Sequence, residues 1–271
     1  MSASIRARKP IGVFDSGLGG LSIIREVRKI LPRESIAYFG DLAHLPYGIK
    51  STEQIRQFSL QNADFLVRLG VKLLVVACNS SSSAAFKWLQ RRVPVPVVDV
   101  IQPVVREAAK VTRTGRIAVI GTSATIESGA YPRALLELNR RFQITVQPCP
   151  LFVPLVEEGW RHDRIAESVV KKYLIPVKNK RPDVLILGCT HYPLLKPMIR
   201  KVLGPGIRLL DAVKPATEEI KSTLIRLGLQ TGQRGDGKMH IYLSDRPRNF
   251  IRVGEQFLGE KLTHVHQVHL S

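Results

Sequence analysis

Along the chain, short apolar runs rich in β-branched residues alternate with longer stretches whose apolar positions recur at helical spacing. The runs predict strands at Ile11 to Phe14, Ile36 to Phe39, Leu73 to Ala77, Val95 to Val98, Ile117 to Ile120, Ile144 to Val146, Val184 to Leu187 and Ile207 to Leu210. Helices are expected between them over Leu21 to Leu31, Thr52 to Leu69, Ala84 to Arg91 and Ala130 to Arg141. In the first of these, apolar residues at 21, 23, 24, 27, 30 and 31 form one face. The succession predicts an α/β protein built on open, mostly parallel sheets.

The pattern also repeats. Ile11-Gly-Val-Phe-Asp15-Ser16 matches Ile117-Ala-Val-Ile-Gly121-Thr122, Leu74-Val-Val-Ala-Cys78-Asn79 matches Leu185-Ile-Leu-Gly188-Cys189-Thr190, and Val97-Val-Asp99 with Pro103 matches Leu209-Leu-Asp211 with Pro215. Residue numbers differ by nearly the same amount in all three matches. Any βα protein aligns loosely with itself, yet that does not set a cysteine against a cysteine. Two pseudo-symmetric halves follow. Ligands of open α/β sheets bind beyond the carboxyl ends of the strands, where all the repeated polar residues fall. Halves that face each other would place Cys78 and Cys189 on opposite walls of one interdomain cleft, the expected active site.

Such a pair suggests a chemistry. Each cysteine closes an apolar strand and precedes a helical stretch whose N-terminus is expected to lower the thiol pKa toward neutrality. A thiolate on one face of a carbon acid and a thiol on the other form a two-base device: one removes the hydrogen and the other returns one to the opposite side. The product is the mirror image. Cys149, between Pro148 and Pro150, lacks these surroundings and is read as structural.

Other polar residues near the strand ends support binding. Asp15-Ser16-Gly17-Leu18-Gly19-Gly20 is a turn whose glycines let backbone amides approach an anion. It matches the dinucleotide fingerprint poorly, since Ser22 takes the place of the last glycine. No Walker A sequence occurs and no lysine context suggests pyridoxal phosphate, so no cofactor is expected. Asp41 and Pro46-Tyr47-Gly48 form a loop in which Tyr47 and backbone amides could meet a carboxylate. His191 could polarise Cys189 or protonate a carboxylate, and Thr122, Ser123 and Thr125 stand where Asp15 stands in the first half. Spacing alone does not single out Glu157 beside Glu158.

Composition narrows the class. With 271 residues, 44% hydrophobic and 23% charged, the chain suits two domains and is neither a disordered segment nor a disulfide scaffold. Three cysteines without a CxxC predict no metal and a reducing compartment. The basic N-terminus precedes no signal-length apolar run, and no run approaches the roughly 20 residues that cross a bilayer, so a cytoplasmic protein without membrane contact is expected. Forty-one Lys and Arg against 22 Asp and Glu leave +19, which raises the question of nucleic acid. The basic residues are scattered in ones to threes with no aromatic-interleaved stripe, which fits a solvated surface that steers anionic substrates better than a nucleic-acid groove.

Taken together, Asp15-Ser16-Gly17-Leu18-Gly19-Gly20, Asp41 with Pro46-Tyr47-Gly48, Cys78-Asn79 and Gly188-Cys189-Thr190-His191-Tyr192-Pro193 resemble the glutamate racemases of bacterial cell-wall synthesis, members of the aspartate/glutamate racemase superfamily. The likeness spans about residue 10 to 258. It implies a cofactor-independent enzyme that interconverts L- and D-glutamate and supplies D-glutamate for peptidoglycan. Cys78 and Cys189 would be its acid/base thiols, with Asp15, His191 and Glu157 assisting. It implies that Ser16, Asp41, Pro46, Tyr47, Gly48, Asn79, Ser80, Thr122 and Thr190 bind the amino acid. It further implies that residues 100–211 form a second lobe inserted into a first lobe of 1–99 plus 212–271, and that the chain is a homodimer, with a secondary contact to DNA gyrase or nucleic acid as a weaker expectation. Ser80 stands where the family usually has threonine, and His44 where arginine often precedes the Pro-Tyr-Gly loop.

Two other activities are compatible with parts of the pattern. One is racemisation of aspartate or another amino acid by the same superfamily. The other is a Cys189/His191 hydrolase, against which stands the expectation that neighbours on one loop seldom reach nucleophile-to-base geometry. That reading also leaves Cys78 without a role.

Overall fold

The computed structural model describes residues 3–270 and divides into two compact units. One comprises the chain up to Tyr47, Ser51–Val100 and everything from Val213 onward; the other comprises Gly48–Lys50 and Ile101–Ala212. Both are α/β, with parallel strand pairing throughout their sheets.

The first unit holds a six-stranded sheet. Its strands are β1 (Ile11–Asp15), β2 (Ile36–Gly40), β3 (Leu73–Val76), β4 (Val97–Asp99), β9 (Met239–Leu243) and β10 (Val265–Gln267), in the order β10-β9-β2-β1-β3-β4. β1, β2 and β3 are buried along their whole length, as strands covered on both faces must be. On one face Phe14, Phe39, Leu74 and Val76 pack with Leu66 and Leu89 of the helices Thr52–Arg68 and Asn79–Leu89. Full burial of each such side chain contributes about 1.5–3 kcal/mol. The helix Leu21–Ile30 buries Leu21, Ile23, Ile24 and Val27 and packs with the helices Val213–Arg226 and Phe250–Leu258. The helix Thr52–Arg68 starts where the Ser51 side chain accepts from the Gln54 N–H.

The second unit holds β5 (Arg116–Gly121), β6 (Gln143–Pro148), β7 (Val184–Gly188) and β8 (Arg208–Asp211), in the order β6-β5-β7-β8. This repeats the order β2-β1-β3-β4 of the first unit. The register repeats as well. Ile11 pairs with Leu73 as Ile117 pairs with Val184, and Leu74 pairs with Val97 as Leu185 pairs with Leu209. Sequence matches made strand by strand are therefore matches between paired positions, which a chance self-alignment would not preserve.

Several boundaries differ from the sequence expectation. The helix after Cys78 begins at Asn79, five residues before Ala84, because Asn79 to Ser82 are buried and their backbone is held in the first turn, with the Ser82 N–H bonded to the Cys78 carbonyl at 2.8 Å. Low helix propensity of a serine run is overridden by that burial. The helix expected to run to Arg141 stops at Leu138, and β4 starts at Val97 rather than Val95. β9 and β10 carried no expectation. β9 alternates buried and half-buried positions, and β10 is a three-residue edge strand, so neither forms an uninterrupted apolar run. Among the described residues, no helix is long and apolar enough to cross a membrane.

Candidate functional site

In the first unit the strand order changes direction at β1 and β3, the point where open α/β sheets leave a crevice beyond the strand ends. Asp15 and Ser16 lie at the end of β1; Cys78 and Asn79 lie past the end of β3. All four are buried. The Gly20 N–H donates to Asp15 Oδ2 at 3.1 Å, and the Tyr38 hydroxyl donates to the Gly17 carbonyl at 2.7 Å, which fixes the glycine turn. Gly20 has no room for a side chain: a Cβ there would lie 2.9 Å from that of Asp15 and 3.0 Å from that of Ala77.

Cys78 Sγ donates to Ser16 Oγ at 3.4 Å. The sequence predicts a thiol pKa lowered by the following helix, and the structure reverses that expectation. Burial pushes the Cys78 thiol up to about 11, the nearby Asp15 carboxylate adds to the rise, and contacts from Ser16 and Ser81 offset only part of it. Desolvation of a thiolate outweighs the helix terminus here. Cys78 therefore carries its proton at neutral pH. Ser81, inside the serine run and not singled out by sequence, touches the sulfur because it lies one turn into the helix.

Asp41 is the hub of a loop network. Its carboxylate accepts from the Tyr47 hydroxyl and, at 2.8 Å, from Ser244 Oγ, and it lies 2.9 Å from His44 Nδ1. Asn62 Nδ2 donates to the Tyr47 hydroxyl at 3.1 Å, and the Ala43 N–H donates to Ser244 Oγ at 2.9 Å. The Asp41 oxygens thus hold the Pro46-Tyr47-Gly48 loop in place. Pro46 follows a cis peptide bond. Ser244 follows β9, so it escaped notice in the sequence along with that strand.

The second unit has the same crevice, between the ends of β5 and β7. Thr122 caps the short helix Ser123–Glu127: its hydroxyl accepts from the Thr125 N–H at 3.3 Å and donates to Thr125 Oγ1 at 3.0 Å. β7 ends at Gly188, whose Cβ would fall 2.8 Å from the Ile120 carbonyl, so only glycine lets the strands close there. Cys189 and His191 follow, both buried.

His191 Nε2 lies 2.6 Å from Glu157 Oε1, and Thr190 Oγ1 lies 3.4 Å from His191 Nδ1. The His191 side chain also bonds that of Cys189. Two residues on one loop thus come within reach of each other here, although such neighbours seldom do. Burial opposes a charge on His191, but its bonds to Cys189 and Glu157 win, and the imidazole is raised to about 10. Glu157 ends the helix Phe152–Glu157, which turns it inward while Glu158 does not join the contact. Burial pushes the Cys149 thiol well up, and the Tyr192 hydroxyl donates to the Cys149 carbonyl at 2.8 Å, so this cysteine sits under the loop rather than at its surface.

The structure thus assembles two buried sulfur sites at equivalent strand ends, one beside a carboxylate and one beside a protonated imidazole. A thiol beside a carboxylate or an imidazole is chemically able to take up and release a proton. Among the described residues, no group of three or more His, Cys, Asp or Glu side chains is arranged to hold a metal ion.

Comparison with known proteins agrees with this geometry. The family model of the Asp/Glu/Hydantoin racemases matches residues 12–220. A glutamate racemase of Geobacter metallireducens is 47% identical over 264 residues, 97% of each chain. The crystal structure of glutamate racemase from Francisella tularensis, in complex with D-glutamate, superposes with a TM-score of 0.92 at 39% identity, covering 97% of this chain and 98% of that one. That of Escherichia coli glutamate racemase, with L-glutamate, gives a TM-score of 0.78 at 25% identity, covering 97% and 99%. Over nearly its whole length, and at the strand ends where its sulfurs lie, this chain belongs to the Asp/Glu/Hydantoin racemase family of isomerases.

Proposed function

We propose that this chain interconverts L- and D-glutamate without an organic cofactor, using Cys78 and Cys189 as the two proton carriers. The observation that carries the reading is the equivalence of the two cysteines, each one or two residues past the end of a strand that holds the same place and register in its sheet. A thiolate takes the proton from Cα as the C–H bond breaks, and the opposite thiol gives its proton to the other face of the same carbon. No electrons are gained or lost. The mechanism requires both sulfurs to reach one bound substrate from opposite sides.

The two surroundings suit complementary starting states. Cys78, held protonated by burial and by Asp15, is the donor ready at neutral pH. His191, held protonated against Cys189 and anchored by Glu157, serves the other thiol. Ser16, Asn79, Ser80, Thr122 and Thr190, with the Pro46-Tyr47-Gly48 loop and the Asp41 that holds it, are proposed to bind the carboxylates and ammonium group, while Asp15 assists the proton transfer at Cys78. The relatives of Francisella tularensis and Escherichia coli that carry D- and L-glutamate support glutamate over aspartate. The product is proposed to feed peptidoglycan synthesis, and rescue of a D-glutamate auxotroph by this chain tests that role.

The decisive experiment is incubation of the enzyme with L-glutamate in deuterium oxide. Deuterium is expected at Cα of the D-glutamate formed. No exchange with glutamate, while aspartate or another amino acid exchanges, moves the substrate; no exchange with any of them refutes the reaction. The hydrogen-bonded series Cys189, His191 and Glu157 also has the order of a nucleophile, base and carboxylate. A hydrolase of that kind would leave an acyl group on Cys189, visible as an added mass on its peptide.

A further inference from the structure

At the other edge of the first unit, away from its strand-end crevice, a cavity of about 650 Å³ opens beside the start of β9. It is bordered by Arg28, Lys238, His240, Lys261 and His264, with one carboxylate, Glu260. Arg28 already pairs with Glu260. The lining therefore carries two net positive charges with neutral imidazoles and four when both rings are protonated. Nothing in the proposed racemase chemistry uses these groups.

Two further observations single the place out. His264 has a φ of 51°, a left-handed backbone conformation that a non-glycine residue adopts only where its surroundings hold it, here through its carbonyl, which accepts from the Ile241 N–H at 3.1 Å. The imidazoles also crowd one another: the His240 ring lies 5.8 Å from that of His264 and 5.8 Å from that of His266, and His266 stacks on Tyr242. Among the described residues no three of them converge as metal ligands. Grouped cations without a metal fit an anion, and the volume lies within the range of small-molecule sites.

We propose that this cavity binds a small molecule bearing several phosphate groups. A ligand of that kind would sit against Lys238 and Lys261 and share charge-assisted hydrogen bonds with His240 and His264. It would also relieve the mutual repulsion around His240. The titratable groups beside His240 are Lys238 just before its strand and His264 and His266 from the neighbouring strand and its approach; Arg28 of the helix Leu21–Ile30 and Glu260 and Lys261 of the loop line the same cavity, and β2 pairs Ala37 with it. Burial, with His266, His264 and Lys238 close by, holds the His240 pKa below its ordinary value. An anion raises it again, so binding takes up a proton and tightens as the pH falls.

Titration calorimetry of the full chain with sodium tripolyphosphate, at constant ionic strength, tests this. One site is expected, tighter by about tenfold at about pH 6 than at about pH 8. The double variant K238A/K261A should weaken binding at least about tenfold, and H240Q should flatten the pH dependence, both with unchanged racemisation. K172A/K180A removes the same charge from the exposed surface of the other unit and should leave affinity unchanged. Equal losses in the two lysine pairs would make the attraction one of net charge and overturn the site. So would undetectable binding of tripolyphosphate, or a short duplex DNA that depends on Lys238 and Lys261 when tripolyphosphate does not.

Discussion

His191 and Glu157, 34 residues apart in the chain, meet at 2.6 Å between Nε2 and Oε1, and both side chains are largely withdrawn from water. A buried imidazole left alone would lose its proton. Glu157 and Cys189 together keep it, up to about pH 10. The pair holds His191 in its protonated form, as the proposed role of a positioned acid requires. Glu157→Gln keeps the shape and removes the charge, so racemisation should fall by roughly tenfold to a hundredfold in kcat, with little change in KM. The alkaline limb of the pH profile should move to lower pH. A profile identical to that of the parent enzyme, followed by optical rotation, would show that Glu157 does not act through His191.

The same proton ties stability to pH. The unfolded chain releases it near the ordinary 6.5, whereas the folded state retains it to about 10. The folded pKa is raised, so the stabilisation is complete below about 6.5 and disappears as the pH climbs toward 10. The urea midpoint should fall steadily between about pH 7 and 8, below the range in which the thiols of Cys78 and Cys149, both raised in the folded state, ionise in the unfolded chain and add the same slope. In His191→Gln that slope should flatten. An equally steep slope in the variant would assign the dependence to another group.

Asp15 and Cys78 give the opposite electrostatic case, a carboxylate beside a thiol. Burial is the main reason that the thiol rises to about 11, and Asp15 is the second. Asp15→Asn should therefore lower the midpoint for alkylation of Cys78 by iodoacetamide, by up to about one pH unit, as read by mass spectrometry of the Cys78 peptide. It should also slow racemisation, since the assisting carboxylate is lost. An unmoved midpoint would leave desolvation as the whole cause.

A buried ion pair far from the sulfurs governs stability alone. Lys72 bonds Glu34 and donates to the Ala7 carbonyl at 2.6 Å, while Glu34 accepts from the Thr231 N–H at 2.8 Å. Removing one partner strands the other charge in the interior. Lys72→Met should cost about 3–5 kcal/mol in denaturant unfolding. Adding Glu34→Gln, which keeps an acceptor for Thr231 without the charge, should recover most of the loss. If the double variant is as unstable as the single one, lost packing rather than the stranded carboxylate is responsible.

The strand ends were legible in the sequence because buried parallel strands must be apolar throughout and their chemistry can begin only where the apolar run stops. Ile11 to Phe14 against Asp15 and Leu185 to Leu187 against Cys189 show that break plainly. Because duplicated units keep their pairing register, the same breaks also disclosed the repeat. β9 and β10 stayed hidden: an edge strand with half-buried positions mixes polar with apolar residues, as in Met239-His-Ile-Tyr-Leu243. With them went Ser244, which locks the Asp41 loop from more than two hundred residues away.

What composition and spacing determined, then, was the order of elements, the equivalence of the two cysteines and the chemistry that two thiols can perform. Only the tertiary structure decided which groups carry protons. The pKa of a side chain depends on how much water it loses and on which charges lie within a few ångströms, and both are properties of the fold. A local rule, the helix N-terminus after Cys78, pointed to an ionised thiol; burial among β1, β3 and Asp15 reversed it. Glu157 could not be distinguished from Glu158 along the chain, because only the turn of one short helix aims the first of them at His191.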